Sequence, residues 1–179
     1  LEARLPSPVS RLPSPRPHSA PTLTTFASTI DTTNEDTEVE VTFAELAAQG
    51  NEADVDGTVD AFVVKSVTSG TLKIGVDAAS ATAWAASTND TIDATHHAYW
   101  TPAADANGTL DAFEVVAQDN LGAESTGNVT AQIAATPVND APTVVAIDLG
   151  NIDEDNTRLI TQADLLVGAT DTEGDGLSA

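Results

Sequence analysis

The sequence contains an internal repeat, and this repeat limits the possible folds more than any other feature. Residues 34–37 (NEDT) match 153–156 (DEDN), 41–46 match 160–165, and 52–57 match 171–176, all at one offset of 119 residues. The tripeptide Ala-Pro-Thr at 20–22 recurs at 141–143. A repeat of this length indicates one structural unit per copy. The sequence therefore predicts a disordered, proline-rich basic tail over 1–19, a complete unit over 20–140 and the N-terminal part of the next unit over 141–179.

The joint between the two copies is a short polar segment enclosed by Pro137 and Pro142. Proline fixes its own φ and favours extended geometry in the residue before it, so the segment is predicted to be a stiff linker. Asn139 and Asp140 lie within it and offer side-chain oxygens. We interpret this segment as an interdomain linker that also holds a hard cation.

Residues 20–140 carry the short, alternating patterns typical of β-strands. Val39, Val41 and Phe43 alternate with polar residues over 37–43, which indicates a half-buried strand. Further strands are predicted over 62–67, 71–74, 99–102, 111–117 and 129–134, the first two of these as a hairpin across Ser69-Gly70. One helical turn fits residues 43–48, and the weakly patterned stretch 77–95 is expected to be a long loop. About seven short strands with polar turns predict an all-β, two-sheet sandwich.

The charge of the chain excludes several functional classes. There are 28 acidic residues against 6 basic ones, for a net charge of −22, and there is no cysteine. A surface this acidic repels nucleic acid and anionic membranes. No apolar run approaches the ~18 residues of a membrane span, so direct membrane insertion is not expected. Without cysteine there is neither a disulfide framework nor thiolate chemistry.

The acidic residues are clustered at predicted turns and strand ends. Calcium binds six to eight oxygen ligands, mostly carboxylates and carbonyls from flexible loops. Two carboxylates in an Asp-x-Asp pair on extended backbone point to the same side, so one ion can bind both. A solvated acidic turn is the alternative, but the recurrence of the pair in the second copy favours calcium. The candidate residues that this pattern marks are Glu35, Asp36, Asp54, Asp56, Asp119, Asn139, Asp140, Glu173 and Asp175.

Two stretches carry a resemblance to a known family. Residues 99–120 (YWTPAADANGTLDAFEVVAQDN) and 136–142 (TPVNDAP) resemble the cadherin-like tandem repeats of large bacterial surface proteins, the RTX-type adhesins and their VCBS relatives. The resemblance implies a seven-stranded Ig/cadherin-like Greek-key sandwich, followed here by a truncated second copy. It also implies calcium at the junctions between units.

The resemblance assigns roles to particular residues. Glu35 matches the family's glutamate at the base of the first strand, and Asp105 and Asn107 lie where an Asp-x-Glu pair is usual. Asn139 and Asp140 match the linker, and Pro137 replaces the linker's leading aspartate. Two further candidates, Glu173 and Asp175, belong to the next unit. The other three, Asp54, Asp56 and Asp119, would face a preceding unit.

These observations predict a non-enzymatic, calcium-binding structural repeat of a large secreted or cell-surface bacterial adhesin. Its expected partners are neighbouring repeats of the same chain and a cell-surface glycan or protein receptor. Two alternatives remain open: an accessory carbohydrate-binding module that uses Trp84, and a passive acidic spacer. His96 and His97 are adjacent, so on a strand they point to opposite faces and do not predict a zinc site.

Overall fold

The fold is an all-β sandwich, as predicted. A computed structural model describes residues 18–178. The predicted tail lies outside the described residues except for His18 and Ser19. One sheet has the strand order β1 (Asp31–Asn34), β9 (Val129–Thr136), β8 (Gly108–Asp119), β3 (Val59–Val67), β6 (Thr91–Ile92). The other has the order β2 (Val39–Val41), β7 (His97–Thr101), β4 (Thr71–Gly75), β5 (Thr82–Ala83). Seven of these strands have three residues or more, and two have two.

The chain crosses from one sheet to the other at most of the connections between consecutive strands. Consecutive strands stay in one sheet only at β4–β5 and β8–β9. All pairs are antiparallel except β1 with β9, which run parallel with Asp31 opposite Ile133. The long strands β3 and β8 both contain register shifts, which bend them over the core.

The core lies between the sheets and is filled by inward-facing residues of the long strands. The largest fully buried side chains are Trp100, Phe62 and Phe113, and Ile133 of β9 packs into the same cluster. The indole of Trp100 donates a 2.8 Å hydrogen bond to the Ser69 carbonyl, so its polar atom is satisfied. Burying each side chain of this size stabilises the fold by roughly 1.5–3 kcal/mol.

A short helix, α1 (Phe43–Gln49), closes one side of the core. Thr42 caps it by accepting a hydrogen bond from the Glu45 amide, and the Glu45 carboxylate returns to the Thr42 amide at 2.7 Å. Leu46 on its inner face is fully buried. The helical turn over 43–48 is therefore confirmed, whereas the strand predicted to run to Phe43 ends at Val41 because the capping box begins at Thr42.

Two details differ from the sequence predictions. The prediction of a hairpin across Ser69-Gly70 is wrong, since β3 and β4 belong to different sheets. The turn changes sheet because the amides of Thr68 and Ser69 bond to the Ala112 carbonyl of β8 while Trp100 of β7 holds the Ser69 carbonyl. The expected loop over 77–95 contains the two-residue strands β5 and β6, which are too short to show a periodic pattern.

Residues beyond the linker repeat the local structure of the first unit. Asp36 and Asp155 both have positive φ, 55° and 64°. Thr161 caps α2 (Gln162–Leu165) with the same reciprocal box that Thr42 forms on α1. Leu46 is 0% exposed, whereas Leu165, which corresponds to it at the repeat offset, is 47% exposed. Local sequence thus sets the turn and cap in both places, while burial of this leucine requires the sandwich strands.

Candidate metal centre

Glu35 is a buried carboxylate at the end of β1. Its amide donates to the Thr136 carbonyl at 2.9 Å, which fixes the turn against β9. Only 3% of the residue is exposed. One carboxylate oxygen accepts a 2.9 Å hydrogen bond from Asn107 Nδ2, and the other a 2.6 Å bond from the Val138 amide. These bonds lower the pKa of Glu35, and the bond from Asn107 has the larger effect. The carboxyl group is therefore ionised although it is buried.

Asp36 and Asp105 face each other across two turns. Asp36 follows Glu35 in the turn after β1, and Asp105 lies in the turn between β7 and β8. Both have positive φ, 55° and 57°, a conformation that aspartate tolerates better than most residues. The Asp105 amide donates to Asp36 Oδ1 at 3.3 Å. The two turns therefore hold these exposed carboxylates side by side.

Asp140 brings the linker and the second unit to the same place. Its amide donates to Glu173 Oε2 at 3.0 Å. Burial raises the pKa of Asp140, and the negative charges of neighbouring acids raise it further, in the order Glu173, Asp105, Asp36 and Glu35. Asp140 is thus a carboxylate surrounded by carboxylates, a position that a cation would stabilise.

Five carboxylates form two overlapping groups, each close enough together to share one cation. Oxygens of Glu35, Asp140 and Glu173 all lie within 4.8 Å of one another, and so do oxygens of Asp36, Asp105 and Asp140. Among the described residues these are the only groups of three or more acid or histidine ligands this close. The donors are all oxygens, which fits a hard cation such as calcium and not a thiolate- or imidazole-preferring metal.

The structure brings together most of the residues that the sequence assigned to this junction. Glu35, Asp36, Asp105, Asp140 and Glu173 meet there, and Asn107 supports Glu35 as a donor. Asn139 and Asp175 lie outside both groups. Asn139 donates to the neighbouring Asp140 carbonyl, and the Asp175 amide donates to Asp171 Oδ1.

A second acidic cluster lies at the other end of β8. Asp119 ends β8, whereas Asp105 and Asn107 precede its first residue, so the two clusters are about 36 Å apart at the usual rise per strand residue. Asp54 and Asp56 contact each other through the Asp56 amide, which donates to Asp54 Oδ1 at 3.1 Å. His18 lies 3.9 Å from Asp56 and 2.8 Å from Asp119, so the predicted Asp54, Asp56 and Asp119 gather at one end of the sandwich, but less tightly than the junction acids.

Asp119 is the most enclosed carboxylate of this second cluster. Its side chain is fully buried. Oδ1 accepts 2.9 Å hydrogen bonds from the amides of Leu121 and Ala123. Burial favours a raised pKa for Asp119, but these amides and the nearby His18 outweigh it and hold the pKa below its usual value.

Sequence reasoning did not mark two further residues, His18 of this cluster and Glu52. His18 Nε2 lies 2.8 Å from Asp119 Oδ2, and Glu52 has a buried carboxylate oxygen without a hydrogen-bond partner. Glu52 corresponds to Asp171 at the repeat offset, which was an available signal. His18 also had a signal, since the sequence 18–22 (HSAPT) aligns with the linker sequence 139–143 (NDAPT), but it was assigned to the basic tail over 1–19.

The other aromatic and histidine candidates have structural roles. Trp84 is half-buried: it packs against the core, and its Nε1 donates to the Val64 carbonyl at 3.2 Å. His97 Nδ1 bonds to Glu40, and His96 Nδ1 lies 3.2 Å from Asp93. The two histidines have different partners and form no shared metal site among the described residues.

The comparisons with known proteins address the second part of the chain. Residues 138–179 match the family model of the cadherin-like domain. This cadherin-like segment includes Asp140 and Glu173, two of the five junction carboxylates. No curated protein and no solved structure matches the chain significantly. Among the described residues, no helix has both the length and the apolar character needed to cross a membrane.

Proposed function

We propose that the protein is a calcium-binding structural repeat in which cations at the junction fix the orientation of successive units. The observation that carries this proposal is the pair of carboxylate groups that share Asp140. Asp140 lies in the linker, so an ion bound to both groups would connect the sandwich, the linker and the cadherin-like segment.

The mechanism is electrostatic. Without a cation, five carboxylates converge on the linker, and their mutual repulsion opposes the closed junction. A divalent ion at each group would neutralise that repulsion and order the turns that carry Asp36, Asp105 and Glu173. The junction would then change from a flexible to a rigid joint.

The donor set favours calcium over other common ions. Calcium accepts many oxygen ligands in irregular geometry, whereas magnesium requires a near-ideal octahedron and retains water. The junction supplies carboxylates from four separate segments, an arrangement that suits the more tolerant ion. Zinc typically takes nitrogen or sulfur ligands, and the chain has no cysteine.

The biological setting that we propose is a long, non-enzymatic, extracellular or surface-bound adhesin stalk. The family match of residues 138–179, the acidic composition and the internal repeat support this setting. Its immediate partners would be neighbouring repeats, and the receptor would be a cell-surface glycan or protein bound by the assembled stalk.

Thermal unfolding in four matched buffers tests the proposal: chelator, millimolar calcium, millimolar magnesium, and sodium at equal ionic strength. Ligand binding adds about 2.7 kcal/mol to stability at a hundredfold excess over Kd. We expect a clear rise in melting temperature with calcium, a smaller one with magnesium and little with sodium. Equal stabilisation by sodium would overturn the proposal and leave the acidic spacer.

A further inference from the structure

His18 occupies the acidic cluster at the Asp119 end of the sandwich. Its Nε2 lies 2.8 Å from Asp119 Oδ2 and its Nδ1 lies 3.9 Å from Asp56 Oδ1. The next amide, that of Ser19, lies 3.2 and 3.3 Å from the two Asp56 oxygens. The chain is then anchored by Thr22, which exchanges backbone hydrogen bonds with Ala53. His18 and Ser19 are thus held directly over the cluster.

The cluster contains buried carboxylate oxygens that a positive charge would stabilise. Asp54 Oδ2 is a buried oxygen without a hydrogen-bond partner, and Asp119 Oδ2 has none apart from its 2.8 Å contact with His18 Nε2. A buried carboxylate without compensation is costly, so such oxygens bind a cation or a basic side chain. Among the described residues, His18 is the only basic side chain within ion-pair distance of this cluster; Lys65 and Lys73 pair with Glu124 and Glu38.

The internal repeat shows which position His18 occupies. The sequence 18–22 (HSAPT) aligns with the linker sequence 139–143 (NDAPT), so His18 corresponds to Asn139 and Ser19 to Asp140. The backbone contact is also similar, because the amide of Ser19 approaches Asp56 as the amide of Asp140 approaches Glu173. At this end of the sandwich, therefore, the linker position carries an imidazole and a hydroxyl in place of an amide and a carboxylate.

We propose that His18 is a built-in occupant of this cluster, and that a divalent cation must displace its ring from Asp119 to bind there. This regulation rests on the proposed function, since it concerns the second calcium position of the same module. The two ends of the sandwich then respond differently to calcium. The junction binds it without an internal competitor, whereas the Asp119 end binds it only as His18 leaves.

The test is a calcium titration followed by NMR of the three histidine rings together with calorimetry. Calcium should shift the ring signals of His18 and leave those of His96 and His97 unchanged, because the latter bond to Asp93 and Glu40. The variant His18→Ala should bind calcium at the weaker class of site about fivefold more tightly, the scale of one partly exposed ion pair. The matched control is His96→Ala, which should bind as the wild type does.

The outcomes separate this inference from the proposed function. If calcium binds and Asp140→Asn weakens that binding, but His18 signals stay fixed and His18→Ala behaves as the wild type, then the role of His18 is wrong and the junction proposal survives. If no variant binds calcium by calorimetry, both are wrong. Movement of the His18 signals together with tighter binding by His18→Ala establishes the competition.

Discussion

The main-chain amide of Asp140 donates a 3.0 Å hydrogen bond to the carboxylate of Glu173, 33 residues further along the chain. This bond joins the linker to the segment that follows it. It also brings together Asp140 and Glu173, two members of the candidate cation group that Glu35 completes. The linker is thus joined to the following segment by a main-chain hydrogen bond to a carboxylate, and a cation would neutralise the repulsion that opposes this arrangement.

Asp140→Asn should remove the ligand that both carboxylate groups share. We expect the calcium affinity of the junction to fall at least about tenfold, because one charged ligand is lost from each group at once. Calorimetry on the wild type and the variant measures this loss. Glu154→Gln is the matched control, since Glu154 is exposed in the second unit and belongs to neither group. An unchanged affinity in Asp140→Asn would show that calcium binds elsewhere.

Asp140 should also give the metal-free protein a distinctive pH dependence. Burial and the surrounding carboxylates raise its pKa above the ordinary value of 3.8, so the folded state prefers the protonated form. Protonated Asp140 therefore contributes to stability below pH 3.8, and this contribution is lost as the pH rises through the raised pKa. In metal-stripped protein, Asp140→Asn should therefore melt higher than the wild type at neutral pH, with a gap that narrows on acidification. A gap that widens instead would contradict the raised pKa.

Asn107→Asp should act in opposite directions without and with calcium. Asn107 Nδ2 donates to Glu35 Oε2 at 2.9 Å, and an aspartate would replace that donor by a repelling charge. Metal-free stability should fall, whereas calcium affinity should rise because a carboxylate joins the junction. Melting in chelator and in calcium measures both effects. Asn107→Ala serves as the control that loses the donor without adding charge, and it should be destabilised in chelator without any gain in affinity.

Leu46→Ala and Leu165→Ala form a matched pair at equivalent repeat positions. Leu46 is fully buried, so its truncation should cost about 2–5 kcal/mol in free energy of unfolding. Leu165 is 47% exposed, and its truncation should cost less than about 1 kcal/mol. Denaturant unfolding of both variants measures the difference. Similar costs would mean that residues around α2 bury a core of their own.

Sequence reasoning succeeded where the determinants are local. The alternation of apolar residues predicted the sandwich, and the proline-bracketed linker with its acidic residues predicted where Asp140 would lie. The acids Glu35, Asp105 and Glu173 could be named because each sits at a turn that the repeat or the family pattern marks. Only the fold shows that Glu35 and Glu173 meet Asp140 in one group and that Asp105 meets it in the other.

The sequence predictions failed where the structure depends on contacts between distant parts of the chain. The turn at Ser69-Gly70 has the chemistry of a hairpin, and Gly70 has a φ of 67°. Hydrogen bonds from distant strands nevertheless direct it to the other sheet, and no local signal shows them. The contact of His18 was hidden for a similar reason, because its partner Asp119 lies 101 residues away and their contact depends on how the sandwich brings the two chain segments together.

The parallel pairing of β1 with β9 has a mechanical consequence. These two strands are near the start and the end of the unit, and four consecutive residue pairs join them. A pulling force applied along the chain through the unit would load them in shear, so the hydrogen bonds between them would have to break together and not one after another. A string of such units under tension would therefore bear the load through these terminal strands.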